Sequence, residues 1–255
     1  MTGNQSENNL AQLTGTVESE PVFSHEVYGE GFYGFIVRTR RLSESFDLIP
    51  ATVSDRLIDI GELKKGRFVA LDGQFRSYNS VLAGGQVKLT LTLFVQEIRF
   101  PDTIPETDVD SVEMNGFICK PPVYRTTPFN REISDFLLAV NRSYNKSDYL
   151  PCICWGRNAR FCGKRKVGDH VKVIGRMQSR VYQKRYPDGT VAERTAYEVS
   201  VSKIELLDGG QTSVNPAAGT ASGVSAGASA AAPAGGNASP GNVAAEGSAE
   251  GKADV

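Results

Sequence analysis

Residues 151–166 read PCICWGRNARFCGKRK and gather three of the four cysteines, the only tryptophan and five basic side chains (Arg157, Arg160, Lys164, Arg165, Lys166). Three chemistries use such residues: a metal centre, a nucleophilic thiol, or an aromatic ring flanked by cations. Zinc would have to take Cys119, Cys152, Cys154 and Cys162. Their C-x-C-x7-C spacing has no C-x2-C knuckle, the usual mark of a structural zinc site. A thiol nucleophile wants a histidine beside it. The chain has only His25 and His170, and neither is placed to pair with the cysteines. We therefore assign no catalytic residue, no metal and no cofactor.

The third chemistry fits better. Side chains alternate between the two faces of a strand, so YLPCICW sends Tyr149, Ile153 and Trp155 one way and Leu150, Cys152 and Cys154 the other. A face holding both Tyr and Trp beside a basic run is the outward one. Cys152 and Cys154 then act as small apolar core residues, as buried free cysteines usually do.

Those residues need a scaffold, and the scaffold is repeated. Gly15 is matched by Gly116 and Pro50 by Pro151, both 101 positions on; Gly66, Gly73 and Ser77 are matched by Gly168, Gly175 and Ser179 at 102. Glycines held at one offset inside matching apolar patterns indicate two homologous domains. In the second copy, β-rich runs fall near 112–119, 133–142, 148–156, 169–182 and 192–206, with a short helix around 157–163. Tyr-Pro-Asp-Gly at 186–189 predicts the turn of a hairpin. The first copy follows the same order, with a Gly-Gly turn at 84–85 and a short helix near 55–62. Five strands with a helix between the third and fourth suit the OB-fold, a small Greek-key barrel. The expected fold class is all-β: two tandem OB-fold (five-stranded Greek-key) barrels followed by a disordered Gly/Ala/Ser-rich tail. The predicted boundaries are a flexible N-terminus at 1–8, barrels at 9–100 and 111–207, a Pro-bearing acidic linker at 101–110, and the tail at 208–255, which has no aromatic residue, no Leu and no Ile.

The formal net charge of −1 conceals an asymmetry. Residues 1–111 carry 10 Lys and Arg against 16 Asp and Glu, whereas residues 112–207 carry 17 against 9. A basic middle between acidic ends suggests that the second domain meets a polyanion. No apolar run approaches the roughly 20 residues of a membrane helix, and the thiols suit a reducing compartment. The expectation is a soluble, cytoplasmic, nucleoid-associated protein.

The second copy resembles the bacterial single-stranded DNA-binding proteins along nearly its whole length. The resemblance is carried in order by VEMNGFICKPPVYRTTP, REISDFLLAVNRSY, DYLPCICWGRNA and KVGDHVKVIGRMQSRVY. The first copy is similar more weakly, through its glycines, Pro50 and GQFRSYN, and the tandem plan is similar to members with two OB-folds per chain. The resemblance implies coating of single-stranded DNA with little sequence preference, by aromatic faces for bases and cations for phosphates. Matched to the family pattern, Tyr144, Tyr149, Trp155 and Tyr182 fall at or near stacking positions, and Arg125, Arg142, Arg157, Arg176 and Arg180 sit beside them. In the first copy Ser54 and Asp55 replace Trp155 and its neighbour, while Arg76 and Tyr78 remain. The second domain is expected to carry most of the affinity and the first to support assembly. VFSHEVYGEGFYGF (22–35) is either a binding or subunit-contact loop or a hairpin packing Phe32 and Phe35.

Family members generally work with four OB-folds, which implies a homodimer here. They typically end in acids and a terminal Phe that recruits replication and repair proteins; this chain ends SAEGKADV, so tail-mediated recruitment is in doubt. The alternatives are an RNA-binding or primosome-type OB protein, or a tandem OB protein-interaction scaffold. An enzyme would need converging carboxylates or a Cys–His pair, and neither stands at motif spacing.

Overall fold

The computed structural model describes residues 8–81, 87–186 and 188–207. The expected tail, the N-terminal residues before Asn8 and the Gly84-Gly85 turn lie outside the described residues.

Twelve strands form one continuous sheet that closes twice. The first closure uses β1 (Asn9–Val17), β3 (Glu30–Arg40), β4 (Phe46–Ser54), β5 (Phe68–Val81) and β6 (Val87–Arg99), with β2 (Val22–Val27) as an outer edge on β3. The second uses β7 (Asp110–Ile118), β9 (Glu132–Arg142), β10 (Lys146–Trp155), β11 (His170–Arg185) and β12 (Val191–Leu206), with β8 (Val123–Thr126) on the edge of β9. In each barrel one parallel pairing completes the circle, β4 with β6 and β10 with β12. A barrel formed this way leaves few free backbone groups and encloses one core. Leu13, Ile49, Leu71, Phe75 and Leu93 fill the first barrel, and Met114, Leu138, Leu150, Cys152, Cys154 and Met177 the second, all at 2% exposure or less.

The repeated glycines have physical causes. Gly66 and Gly168 both hold positive φ (89° and 92°) at the turn into β5 and β11, a conformation that a Cβ disfavours. Gly73 and Gly175 sit at β-bulges, where a Cβ would strike the carbonyl of Phe94 or Ser200 on the neighbouring strand.

The second helix prediction holds: α1 (Gly156–Cys162) buries Ala159 and Cys162 against the second barrel. The first does not. Residues 55–62 form only a single 3-10 turn at Ile60–Glu62, N-capped by Asp59. A stretch this short, interrupted by Gly61, gains too few helical hydrogen bonds to offset nucleation. Strand β8 lay outside the predicted runs, and β2 was expected only under the hairpin reading of 22–35. They are short edge strands whose side chains are exposed, so no alternation marks them. The 22–35 segment is a hairpin, β2 on β3, with Phe32 and Phe35 buried.

The two barrels are joined through β1 and β7, which pair antiparallel. Ala11 faces Val112, its own counterpart 101 positions along, so a pseudo-two-fold axis passes through that pair. Two buried carboxylates obey the same symmetry. Asp47 of β4 accepts from Ser179 N at 2.7 Å and is ion-paired with Arg41 and Arg176. Its counterpart Asp148 of β10 accepts from Ser77 N at 2.7 Å and lies 3.2 Å from Arg142 Nε. Each serine hydroxyl in turn accepts a backbone N–H from beside the carboxylate, Leu48 or Tyr149. Each carboxylate thus ties its own barrel to a serine of the other. Burial pushes Asp47 up, but the Arg41 hydrogen bonds, the Ser179 N–H and the two guanidiniums hold it below the ordinary carboxylate value. Asp148 has fewer donors, and burial keeps it above that value.

Candidate nucleic-acid interface

Pairing register decides which residues share the outward face of the second barrel. Directly opposed residues on neighbouring strands point to the same side. Trp155 opposes Ile133, which opposes Arg125; Tyr149 opposes Ala139; Ile153 opposes Asp135 and Ser200; and Ser200 opposes Arg176. Alternation along β11 adds Gln178, Arg180, Tyr182 and Lys184 to that face. Tyr149, Trp155, Tyr182 and the arginines of β8 and β11 therefore look outward from one sheet surface.

Trp155 stands at the end of β10 with 41% of its surface exposed, and Tyr149 with 46%. Leu150, Cys152 and Cys154 point into the core, as alternation predicts. Ile153 departs from the expectation: it shares the face of Tyr149 and Trp155 yet is buried. It sits mid-strand with β9 on one side and β12 on the other, whereas Trp155 occupies a strand end. Cys162 hydrogen bonding and burial raise the Cys154 thiol, and burial raises Cys152, so neither is a thiolate near neutral pH. Among the described residues no three His, Cys, Asp or Glu side chains converge as metal ligands.

The arginines are more committed than the sequence suggests. Arg125 donates to Asp135 (2.8 Å), Arg176 to Asp47 (2.8 Å), and Arg142 and Arg180 form ion pairs with Asp148 (3.2 Å) and Glu198 (3.6 Å). Arg157 is exposed on α1. Tyr144 lies in the 3-10 turn Ser143–Asn145, and its side chain is outside the described residues. Tyr182 is half-buried, with the Arg180 guanidinium 5.8 Å from its ring centre.

The β11–β12 hairpin carries residues that the sequence reading passed over. Lys184 lies 5.2 Å from the Tyr186 ring centre, and Arg194, opposite Tyr182, donates to the Tyr186 hydroxyl at 2.9 Å. The signal was present as the alternation R-V-Y-Q-K-R-Y along 180–186. An arm of alternating rings and cations suits a single strand, because every base has a stacking face and every nucleotide a charge.

In the first barrel, Ser54 and Asp55 do not mimic Trp155. The Ser54 hydroxyl donates to Glu30 and the Asp55 carboxylate accepts from Gly31 N, which closes that strand end with local bonds. Arg76 and Tyr78 lie elsewhere, on β5. Arg76 stacks 3.9 Å above Phe94 and is fixed by Gln74 (2.7 Å), beside an open groove. Phe94 escaped the sequence reading because it lies on another strand from Arg76, and only the β5–β6 pairing brings the two together.

The chain is similar to known single-strand binding proteins. A model of the "Single-strand binding protein family" matches residues 109–207. "Single-stranded DNA-binding protein 1" of Lactococcus lactis is 28% identical over 113 residues, covering 41% of this chain and 75% of that protein. A protein of the same description from Staphylococcus aureus is 33% identical over 85 residues, covering 29% of this chain and 49% of its own length. "Single-stranded DNA-binding protein A" of Bacillus subtilis is 29% identical over 109 residues, and this chain spans 63% of its length. Among solved structures, the wild-type single-stranded DNA binding protein from Thermus aquaticus superposes with a TM-score of 0.61 over 79% of this chain and 94% of that chain, at 18% identity. That likeness establishes the shared two-barrel fold. Residues 109–207 of this chain are thus similar to the single-strand binding protein family.

Proposed function

We propose that the protein binds single-stranded DNA without sequence preference and protects it during replication, recombination or repair. The observation that carries this reading is the outward face of the second barrel. Trp155, Tyr149 and Tyr182 share that face with a row of arginines, on a domain with an excess of basic residues. Base stacking contributes roughly 1–3 kcal/mol per base, so a few rings give tight binding without contact to base edges. Tyr144, Tyr149, Trp155, Tyr182 and Tyr78 are the proposed stacking rings. Arg76, Arg125, Arg142, Arg157, Arg176 and Arg180 are the proposed cations, of which Arg157 lies exposed on α1. The ion-paired arginines exchange a carboxylate for a phosphate, or hold their partners while the rings bind. The protein acts as a binding protein and not an enzyme, in the cytoplasm, and as a homodimer that brings four barrels together.

The test is a competition titration. A labelled oligo-dT should bind, resist competition by duplex DNA, and weaken with salt with a slope of about −0.7 per phosphate neutralised. Equal competition by duplex DNA would assign the basic face to generic polyanion binding. Preferential competition by single-stranded RNA would move the reading to an RNA-binding protein.

A further inference from the structure

The first barrel carries a groove of about 540 Å³ at its boundary with the second. Its lining includes His25, Arg76, Tyr78, Thr92 and Phe94 of the first barrel and Arg142 of the second. Two guanidiniums face it, and among the described residues no carboxylate belongs to its lining. Asp148 is buried and is held by Ser77, which lines the groove. Asp148 does not fully use Arg142: Arg142 Nε and Asp148 Oδ2 lie 3.2 Å apart, but their alignment falls short of a hydrogen bond. Burial and the nearby Arg142 cation both lower the proton affinity of Arg76, against the pull of Asp148. Two cations thus share one carboxylate in a partly desolvated groove, leaving a positive charge that an anion would neutralise.

The pseudo-symmetric place in the second barrel is built differently. The partners Arg76 and Thr92 of the first barrel correspond to Gln178 and Glu198, and Phe94 corresponds to Ser200. There Gln178 donates to Glu198 at 2.6 Å, and Arg180 pairs with the same carboxylate. The second copy therefore holds an acid and no ring where the first holds Thr92 and Phe94, while Arg176 and Arg180 make its place cationic as well. That difference arises inside a domain that is acidic overall, with 10 Lys and Arg against 16 Asp and Glu over residues 1–111.

The geometry points to a nucleotide site in this groove, completed across the barrel boundary: one phosphate of a bound single strand between Arg76 and Arg142, with its base against Tyr78. This rests on the reading of the chain as a single-strand binder. It makes the first barrel a contact in its own right and sets the path of the strand, which crosses from the Trp155 face to the first barrel at Arg142.

A reporter in the groove tests it. In a full-length Trp155→Phe background, Tyr78→Trp places the only tryptophan at the groove and leaves both arginines intact; Tyr78 is about half exposed, so the exchange is sterically open. Oligo-dT should quench this reporter. Arg76→Gln in the parent chain should weaken oligo-dT binding about ten-fold at low salt and reduce the salt slope by about 0.7. If oligo-dT quenches Trp155 in the parent chain while the groove reporter stays unchanged, the groove proposal falls and single-strand binding stands. Quenching of the reporter by thymidine monophosphate but not by the strand would overturn the proposal in favour of a free-nucleotide site. If the parent chain binds no strand at all, both readings fall.

Discussion

Asn9 and Asp110 occupy the same place in the two barrels, 101 positions apart, but only one of them suits it at every pH. Asn9 clasps the backbone of Phe75, donating to its carbonyl at 2.7 Å and accepting its N–H at 3.1 Å. Asp110 accepts the N–H of Met177, the counterpart of Phe75, at 2.9 Å. To complete the mirror image it must also donate, which a carboxyl does only when protonated. Burial, together with the nearby Asp47 charge, raises it from 3.8 to about 7, against the Met177 N–H and the charges of Arg176 and Arg41. Between about pH 4 and about pH 7 the folded protein therefore holds a proton that the unfolded chain releases. Stability from this group is complete below the unfolded value and is lost as pH rises through about 7. The interval corresponds to about 4 kcal/mol as an upper bound; residual solvent contact at Asp110 and the two arginines bring the expected loss nearer 1–3 kcal/mol. Asp110→Asn supplies the missing donor permanently. Urea denaturation at about pH 5 and about pH 8.5 should show the variant ahead by under about 1 kcal/mol at the lower pH, where only the first part of this linkage is lost, and by about 1–3 kcal/mol at the higher. An advantage of the same size at both pH values, or a variant weaker at the higher pH, would refute the reasoning.

Three further outcomes follow from the same geometry. Asp47→Ala strands Arg41 and Arg176 without their shared buried carboxylate and should cost about 3–5 kcal/mol in chemical denaturation; a loss under 1 kcal/mol, as for a surface pair, would mean the inter-barrel tie is not structural. Gly73→Ala drives a Cβ into the Phe94 carbonyl and should lower the melting temperature markedly, whereas Gly61→Ala, with more room, should not. Cys152, Cys154 and Cys162 are buried, so a thiol reagent should label at most Cys119 in the native protein and all four cysteines in denaturant; rapid native labelling of two or more would contradict their place in the core.

Much of the scaffold was legible because its constraints are local. The repeated glycines mark turns and bulges where backbone geometry excludes a side chain, so they stand out in a single sequence. Alternation along YLPCICW located the core cysteines and the exposed Tyr149 and Trp155, because a half-buried strand writes its two faces directly. It failed at Ile153, whose burial depends on the strands on both sides. The commitments of the arginines were not legible. Arg176 meets Asp47 across 129 positions and from the other barrel, and no local pattern encodes that meeting. The groove was hidden for the same reason: Arg142 reaches it from the second repeat, and Phe94 from the strand beside Arg76. Strand β8 was missed, and β2 was expected only under one of two readings of 22–35, because exposed edge strands carry no buried face to read.

Trp155 is the only tryptophan in the chain, so its fluorescence reports on one proposed contact without labelling. Titration of the native protein with oligo-dT at low salt, beside duplex DNA and single-stranded RNA, addresses the central claim directly. The account predicts deep, salt-sensitive quenching by the DNA single strand and little by the duplex; Trp155→Ala should weaken binding by about 5- to 150-fold, the equivalent of one stacked base. Binding that leaves Trp155 unquenched, or no binding at low salt, would contradict it.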